Sequence, residues 1–173
     1  APLAFFGSLP SLAPPERVAA PADSRTRVYI SFGTIVWRYF EREAQDTLRA
    51  LLSAFARMPE LDVRISLGAA GVVPPDLRTP NVRIENYVDQ WQVLHESDVF
   101  VTHQGLNSTH EAAFCGVPMI SRPFFWDQPA LAAKCQALGI AVPLERENQE
   151  DVAVSMETLR DARARFAENL RRA

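Results

Sequence analysis

The sequence predicts an α/β fold in which a parallel β-sheet is covered by helices on both faces. Short apolar runs alternate along the chain with segments of helical periodicity, which is the order expected of strand–helix–strand units. Some of the runs are apolar at nearly every position, as strands buried on both faces are. The 173 residues, 47% of them hydrophobic and 23% charged, suffice for one domain with a substantial core.

Six apolar runs are predicted as strands. The first two end at Gly33 and Gly68, and Pro118 is tolerated only near the start of the fifth. The predicted strands cover residues 27–32, 62–67, 82–87, 98–102, 117–121 and 140–142.

Five segments are predicted as helices. In the first, Leu48, Leu51, Leu52 and Phe55 fall at i, i+3, i+4 and i+7 and mark one apolar face, and Pro59 limits its end. The predicted helices cover residues 41–57, 90–96, 106–115 and 128–138, followed by a polar helical tail from about 149.

The domain is predicted to span residues 25–173, and residues 1–24 to be an interdomain linker or the remnant of a preceding domain. The first residues lack the basic segment of a signal peptide, and prolines are frequent up to Pro21. We therefore expect the chain to be part of a longer protein. A second proline-rich stretch, 71–80, is predicted as a loop.

Composition and spacing disfavour several function classes. A net charge of −3 gives no electrostatic reason to expect nucleic acid or an acidic membrane, and no apolar run approaches the length of a membrane span. Cys115 and Cys135 suggest two reduced, buried thiols in a cytoplasmic protein. The histidine spacings match no zinc pattern, so no metal is expected. The sequence also lacks the glycine-rich fingerprints of dinucleotide dehydrogenases and P-loop enzymes.

Polar and glycine residues follow four of the predicted strands, near Gly33, Tyr87, His103 and Pro123. Because the carboxyl ends of parallel strands meet at one edge of the sheet, we expect these four loops to converge on one crevice. The loop after His103 leads into a helix whose first N–H groups have no partner within the helix. Such a helix start is an anion site.

Each loop admits a structural and a functional interpretation. Gly33-Thr34 is either a helix-capping turn or a loop whose backbone approaches a phosphate. His103 is either a core histidine bonded to a backbone carbonyl or a donor to a phosphate oxygen. His95 and His110 are expected at the surface or in packing.

The helix start after His103 is open to both interpretations as well. Asn107 and Ser108 are either N-caps, with Ser108 and Glu111 forming a capping box, or donors for phosphate beside a carboxylate for a ribose diol. Asp127 with Gln128 is either a helix cap or a pair that bonds adjacent sugar hydroxyls. Trp126 is either core or an apolar wall for the sugar.

Residues 87–128 resemble a known signature. They begin Tyr87-Val-Asp-Gln90, contain Thr102-His-Gln-Gly-Leu-Asn-Ser-Thr109 and close on Asp127-Gln128. This stretch is similar to the signature box of nucleotide-sugar-dependent glycosyltransferases that act on small lipophilic acceptors, the plant secondary-product, vertebrate glucuronosyl and bacterial antibiotic enzymes. Residues 31–34 fit the first strand and loop of that family too.

The resemblance implies one Rossmann-like half of a GT-B fold, the C-terminal domain that binds the donor. It implies that Tyr87 stacks on the base where the family usually has tryptophan, that Val88 offers backbone bonds to the base, and that Gln90 reaches base or ribose. Two further departures from the family pattern are Asp89, where proline is common, and Gln104, where glycine or cysteine is common.

The resemblance also assigns the remaining contacts. His103 contacts the diphosphate together with Asn107, Ser108 and the N–H groups around Gly105. Glu111 holds the ribose hydroxyls, and Asp127 and Gln128 hold the transferred hexose.

The implied activity is inverting transfer of a hexose from a UDP- or TDP-sugar to an acceptor hydroxyl, without a metal. The general base is expected in the missing N-terminal domain, so this chain has no catalytic residue of its own and binds donor without transferring. Arginine outnumbers lysine 17 to 1, which hints at a GC-rich bacterial genome and natural-product or antibiotic biosynthesis. Three alternatives stay open: another GT-B enzyme (an epimerase or an N-acetylglucosaminyl transferase), a non-catalytic nucleotide-binding module, and a plain doubly wound domain.

Overall fold

A computed structural model describes residues 25–68, 79–145, 149–161, 165–166 and 168–169 of the chain. Its centre is a parallel sheet of six strands in the order β3-β2-β1-β4-β5-β6. The strands are β1 (Thr26–Ser31), β2 (Leu61–Ser66), β3 (Val82–Glu85), β4 (Val99–Thr102), β5 (Met119–Ser121) and β6 (Ala141–Pro143). The order reverses between β1 and β4, and in such sheets the crevice above the reversal is where ligands bind.

Six helices of the described part of the chain cover the sheet. They are α1 (Gly33–Tyr39), α2 (Glu41–Phe55), α3 (Gln90–Glu96), α4 (Leu106–Phe114), α5 (Gln128–Ala137) and α6 (Gln149–Asp161). Alternate strand residues feed two apolar layers: Ile30 and Val101 pack with side chains of α1, α2 and α6, whereas Tyr29 and Phe100 pack with side chains of α3, α4 and α5. The predicted α/β sheet with helices on both faces is confirmed. None of the helices among the described residues is both long and apolar enough to span a bilayer.

The predicted elements are displaced by only a few residues from the observed ones, with one omission. No helix was predicted directly after β1, where Gly33-Thr34 was interpreted as a helix-capping turn or a loop near a phosphate, but this segment forms the seven-residue helix α1. This helix is too short for a repeating apolar face, and its two buried side chains, Val36 and Trp37, are adjacent in sequence. Residues 1–24 and most of the predicted loop at 71–80 lie outside the described residues.

A row of four hydroxyl side chains crosses the sheet at its carboxyl edge. Ser66, Ser31, Thr102 and Ser121 are paired in register on β2, β1, β4 and β5, and all four are buried. Residues in register on parallel strands point to the same face. The row lies at the carboxyl ends of the strands, between their apolar residues and the loops that follow. It supplies polar partners to those loops.

Candidate functional site

The four predicted loops all follow the carboxyl ends of strands, as expected. The His103 ring reaches the β1–α1 turn, since a Cβ added at Gly33 would lie 2.9 Å from its Cε1 and Nε2 atoms. A Cβ added at Gly105 would overlap the same Nε2. The imidazole thus occupies the space between the two turns. Gly33 has φ +70, so it is required both for that conformation and for the close approach.

Burial sets the protonation state of His103. It lowers the pKa of the imidazole to about 4, while the Ser31 backbone and the Asp127 carboxylate act in the opposite direction. The ring is therefore neutral near pH 7. Its Nδ1 makes no hydrogen bond of good geometry to any described residue. A neutral imidazole carries one N–H, which can donate to an anion placed beside it.

The start of α4 carries no side-chain cap. Its N-cap residue is Gly105, which has no side chain to accept from the first turn. The capping-box interpretation of Ser108 and Glu111 is wrong, because the helix begins at Leu106 and both side chains bond to Gln90 instead. The first-turn N–H groups of α4 are thus left without a capping side chain, and Asn107 is exposed beside them.

Gln90 is the centre of a hydrogen-bond network at the start of α3. Its Nε2 donates to Oε2 of Glu111 at 2.7 Å and to Oγ of Ser108 at 3.1 Å. Its Oε1 accepts from the Tyr29 hydroxyl at 3.3 Å. Asp89 accepts from the backbone N–H of Gln92 and so caps α3. The described hydrogen bonds of the Gln90 side chain are therefore made to other side chains of the protein. Two of them hold Glu111 and Ser108 of α4.

Gln104 lies in the turn between β4 and α4 with its side chain directed into the protein. It has φ 64, a left-handed conformation uncommon for residues other than glycine, and it is fully buried. Its Oε1 accepts from Ser121 at 2.6 Å, and its Nε2 donates to Thr109 at 3.1 Å. Nε2 also lies 3.3 Å from Sγ of Cys135. The side chain thus points away from the proposed phosphate site and ties the turn to β5, α4 and α5.

The loop between β5 and α5 is held by Gln128. Its buried Oε1 accepts from the backbone N–H groups of Phe124 at 2.9 Å and Phe125 at 3.3 Å. Asp127 occupies the N-cap position of α5, but its carboxylate makes no capping bond, so the cap interpretation is wrong for its side chain. Trp126 has φ 52 and is 86% exposed, which excludes the core interpretation.

Tyr87 and Val88, which are predicted to contact the base, and His95 lie in different surroundings. Tyr87 is 77% exposed just after β3, whereas Val88 is buried. His95 packs edge-on against Trp91 and lies 3.6 Å from Sγ of Cys115, so it is a packing residue as expected. Within the described ranges, no three His, Cys, Asp or Glu side chains come together as a metal site would require.

Comparison with known proteins assigns the chain to a family. The family model described as "UDP-glucoronosyl and UDP-glucosyl transferase" matches residues 15–171. The chain belongs to this family. UDP-glucuronosyltransferase 3A2 of Mus musculus is 31% identical to this UDP-glycosyltransferase chain over 145 residues, which cover 76% of the chain and 25% of the mouse protein. The resemblance inferred from residues 87–128 is thereby confirmed at the level of the family.

Solved structures show the same fold. The crystal structure of the glycotransferase of kitacinnamycin is 28% identical, with a TM-score of 0.76 over 94% of this chain and 41% of that one. Os79 from O. sativa in complex with UDP is 21% identical, with a TM-score of 0.75 over 86% of this chain and 35% of that one. The chain thus spans less than half the length of these relatives, and it corresponds to a Rossmann-like part of them.

Replacing Gln104 by leucine is expected to lower the free energy of unfolding by about 2 kcal/mol or more. The apolar side chain breaks several hydrogen bonds and leaves the buried Ser121 hydroxyl without its acceptor. Urea denaturation measures the effect. The matched control is Gln136→Leu on the exposed face of α5, for which a change within about 0.5 kcal/mol is expected. Equal effects at both positions would contradict the structural role of Gln104.

The stability of the domain is expected to depend on pH through His103. Its folded pKa of about 4 lies below the ordinary value of 6.5, so between these values the unfolded chain binds a proton that the folded chain does not. The resulting stability is complete above pH 6.5 and is lost as the pH falls toward 4. We expect His103→Gln to lose less stability than the unmodified chain between pH 7 and 5, measured by urea denaturation. Parallel losses would show that the folded pKa of His103 is not lowered.

Proposed function

We propose that this domain binds the donor of an inverting glycosyltransferase that moves a hexose from a UDP- or TDP-sugar to a hydroxyl of a small lipophilic acceptor. The observation that carries the proposal is the uncapped first turn of α4, with the neutral His103 ring beside it. Membership of the UDP-glycosyltransferase family supports a nucleotide sugar as the ligand.

The diphosphate is proposed to bind at the start of α4. The first-turn N–H groups and the positive end of the helix dipole both favour an anion there. His103 adds a donor from a neutral ring, so it does not require a proton to be taken up first. The exposed Thr34 hydroxyl and Asn107 amide are the further donors near the two turns.

The nucleoside is proposed to extend toward β3 and α3. Tyr87 offers an exposed aromatic face on which a pyrimidine can stack. The side chain of Val88 is buried, so its backbone is the part left to bond the base. Glu111 uses Oε2 to accept from Gln90, and its second oxygen is proposed to accept from a ribose hydroxyl.

The hexose is proposed to lie against the β5–α5 loop. Gln128 has its Oε1 committed to the loop backbone, so it contributes a donor through Nε2. The exposed, non-capping carboxylate of Asp127 contributes an acceptor beside it. A donor next to an acceptor matches two adjacent sugar hydroxyls, and the exposed Trp126 indole provides an apolar face for the ring.

The chemical contribution of this domain is to the leaving group. As an acceptor hydroxyl attacks the anomeric carbon, the bond from that carbon to the diphosphate oxygen breaks and negative charge grows on the diphosphate. The α4 N–H groups and His103 are proposed to stabilise that charge. The base that takes the hydroxyl proton is proposed to lie outside this chain, which therefore binds donor without transferring.

The biological setting is proposed from the composition of the chain. The arginine-rich, lysine-poor composition favours a bacterial source and a natural-product acceptor, including antibiotic biosynthesis. The two free cysteines, Cys115 and Cys135, favour the cytoplasm.

Replacing His103 or Glu111 by alanine is expected to weaken UDP binding about tenfold or more. Each side chain is proposed to make a hydrogen bond in which one group is charged, the diphosphate for His103 and the carboxylate itself for Glu111, and such a bond contributes about 1.5–3 kcal/mol. Isothermal titration calorimetry with UDP and TDP measures the change. Glu157→Ala, on the exposed face of α6, is the matched control and should bind like the unmodified chain. Unchanged isotherms for both site variants would contradict the proposed phosphate and ribose contacts.

Replacing Asp127 by asparagine is expected to change the preference among UDP-hexoses while leaving the affinity for UDP nearly intact. Gln128→Glu should act similarly, because it keeps the acceptor for the loop backbone and removes the amide donor. Calorimetry with UDP and two UDP-hexoses separates the two effects, with the exposed Asp46→Asn as control. An equal loss of UDP and UDP-hexose affinity would show that this loop does not contact the sugar.

A further inference from the structure

A buried phenol lies behind the carboxylate that is proposed to hold the ribose. Tyr29 is on β1, is 1% exposed and stacks on Phe100 with ring centroids 5.0 Å apart. Its hydroxyl donates to Oε1 of Gln90, whose Nε2 donates to Glu111 and Ser108. Three elements, β1, α3 and α4, are thus joined by one chain of hydrogen bonds that ends on Glu111.

The direction of this chain of bonds is fixed by charge. If the Gln90 amide were turned over, its oxygen would face the Glu111 carboxylate, and two acceptors would be in contact. The carboxylate therefore requires the amide N–H groups on its side, and this leaves Oε1 to accept from Tyr29. A phenol can supply that donor because its hydroxyl carries a proton.

The surroundings keep Tyr29 in its protonated, donating form. Burial raises the pKa of its phenol to about 12, although the hydroxyls of Ser31 and Ser66 act to lower it. These two serines belong to the hydroxyl row at the carboxyl edge of the sheet. The Phe100 ring and this row together leave the phenol little freedom, so the donor that Gln90 meets is held in place by the sheet itself.

We propose that Tyr29 is a positioning residue for donor binding, which sets the place of the Glu111 carboxylate through Gln90. The inference rests on the proposed function, in which Glu111 accepts from the ribose of the nucleotide. Tyr29 has no contact with the ligand in this account. Its hydroxyl keeps the Gln90 amide turned toward α4, so that one carboxylate oxygen is held and the other is free to accept from the ribose.

Tyr29→Phe tests the inference, because it removes only the hydroxyl and keeps the ring that packs on Phe100. We expect UDP to bind the variant roughly two- to tenfold more weakly, the range for one hydrogen bond, by calorimetry. Tyr39→Phe makes the same chemical change at an exposed residue of α1 and should leave UDP affinity unchanged. Equal UDP affinity of Tyr29→Phe and the unmodified chain would overturn the inference.

A double-mutant cycle separates positioning from a general loosening of the fold. If Tyr29 acts through Glu111, Tyr29→Phe should cause no further loss of UDP affinity in a Glu111→Ala background. The same fold-loss in both backgrounds would overturn the inference. Gln90→Met removes the central amide and should repeat both results, so the test holds even if Tyr29→Phe folds poorly. Failure of the unmodified chain to bind UDP would instead overturn the proposed function and, with it, this inference.

Discussion

A single buried amide, that of Gln104, joins the end of β4 to β5, to α4 and to α5. The residue has a left-handed backbone conformation, which costs free energy outside glycine and persists where surrounding contacts determine it. The contacts on this one amide are four side chains from three elements: Thr109 of α4, Met119 and Ser121 of β5, and Cys135 of α5. They fix the turn that places His103 on one side and the open start of α4 on the other.

This turn lies at the carboxyl edge of the sheet, where a charged ligand can bind. Below it, the central strands β1, β4 and β5 are largely buried in apolar layers, and a charged ligand there would lose its hydration without compensation. Above it, the row of Ser66, Ser31, Thr102 and Ser121 supplies hydroxyls to the loops. Ser31 accepts from the Gly33 backbone, Thr102 from the Gln104 backbone, and Ser121 donates to the Gln104 side chain. The loops are therefore anchored from beneath, which leaves their upper groups available to a ligand.

Much of this arrangement could be predicted from the sequence, because strand periodicity and the position of polar residues after strands are local signals. His103 and Gly105 were predicted to follow a strand end, and Asp127 to lie in the loop between a strand and a helix, and the structure agrees. Helix α1 could not be predicted, since its two buried side chains are adjacent and give no period. The network of Tyr29, Gln90 and Glu111 joins residues up to 82 positions apart in the sequence, and nothing in a buried strand tyrosine indicates which group its hydroxyl meets. Ser108 and Glu111 match a capping box in sequence, but the helix begins two residues before Ser108 and Gln90 binds both side chains.

The start of α4 and the neutral ring of His103 are proposed to bind a diphosphate together. A crystal structure of the chain with UDP tests it most directly. We expect diphosphate oxygens within hydrogen-bond distance of the first-turn N–H groups of α4 and of the His103 ring, with the ribose beside Glu111. A diphosphate bound elsewhere on the chain, with the α4 start unoccupied, would contradict it.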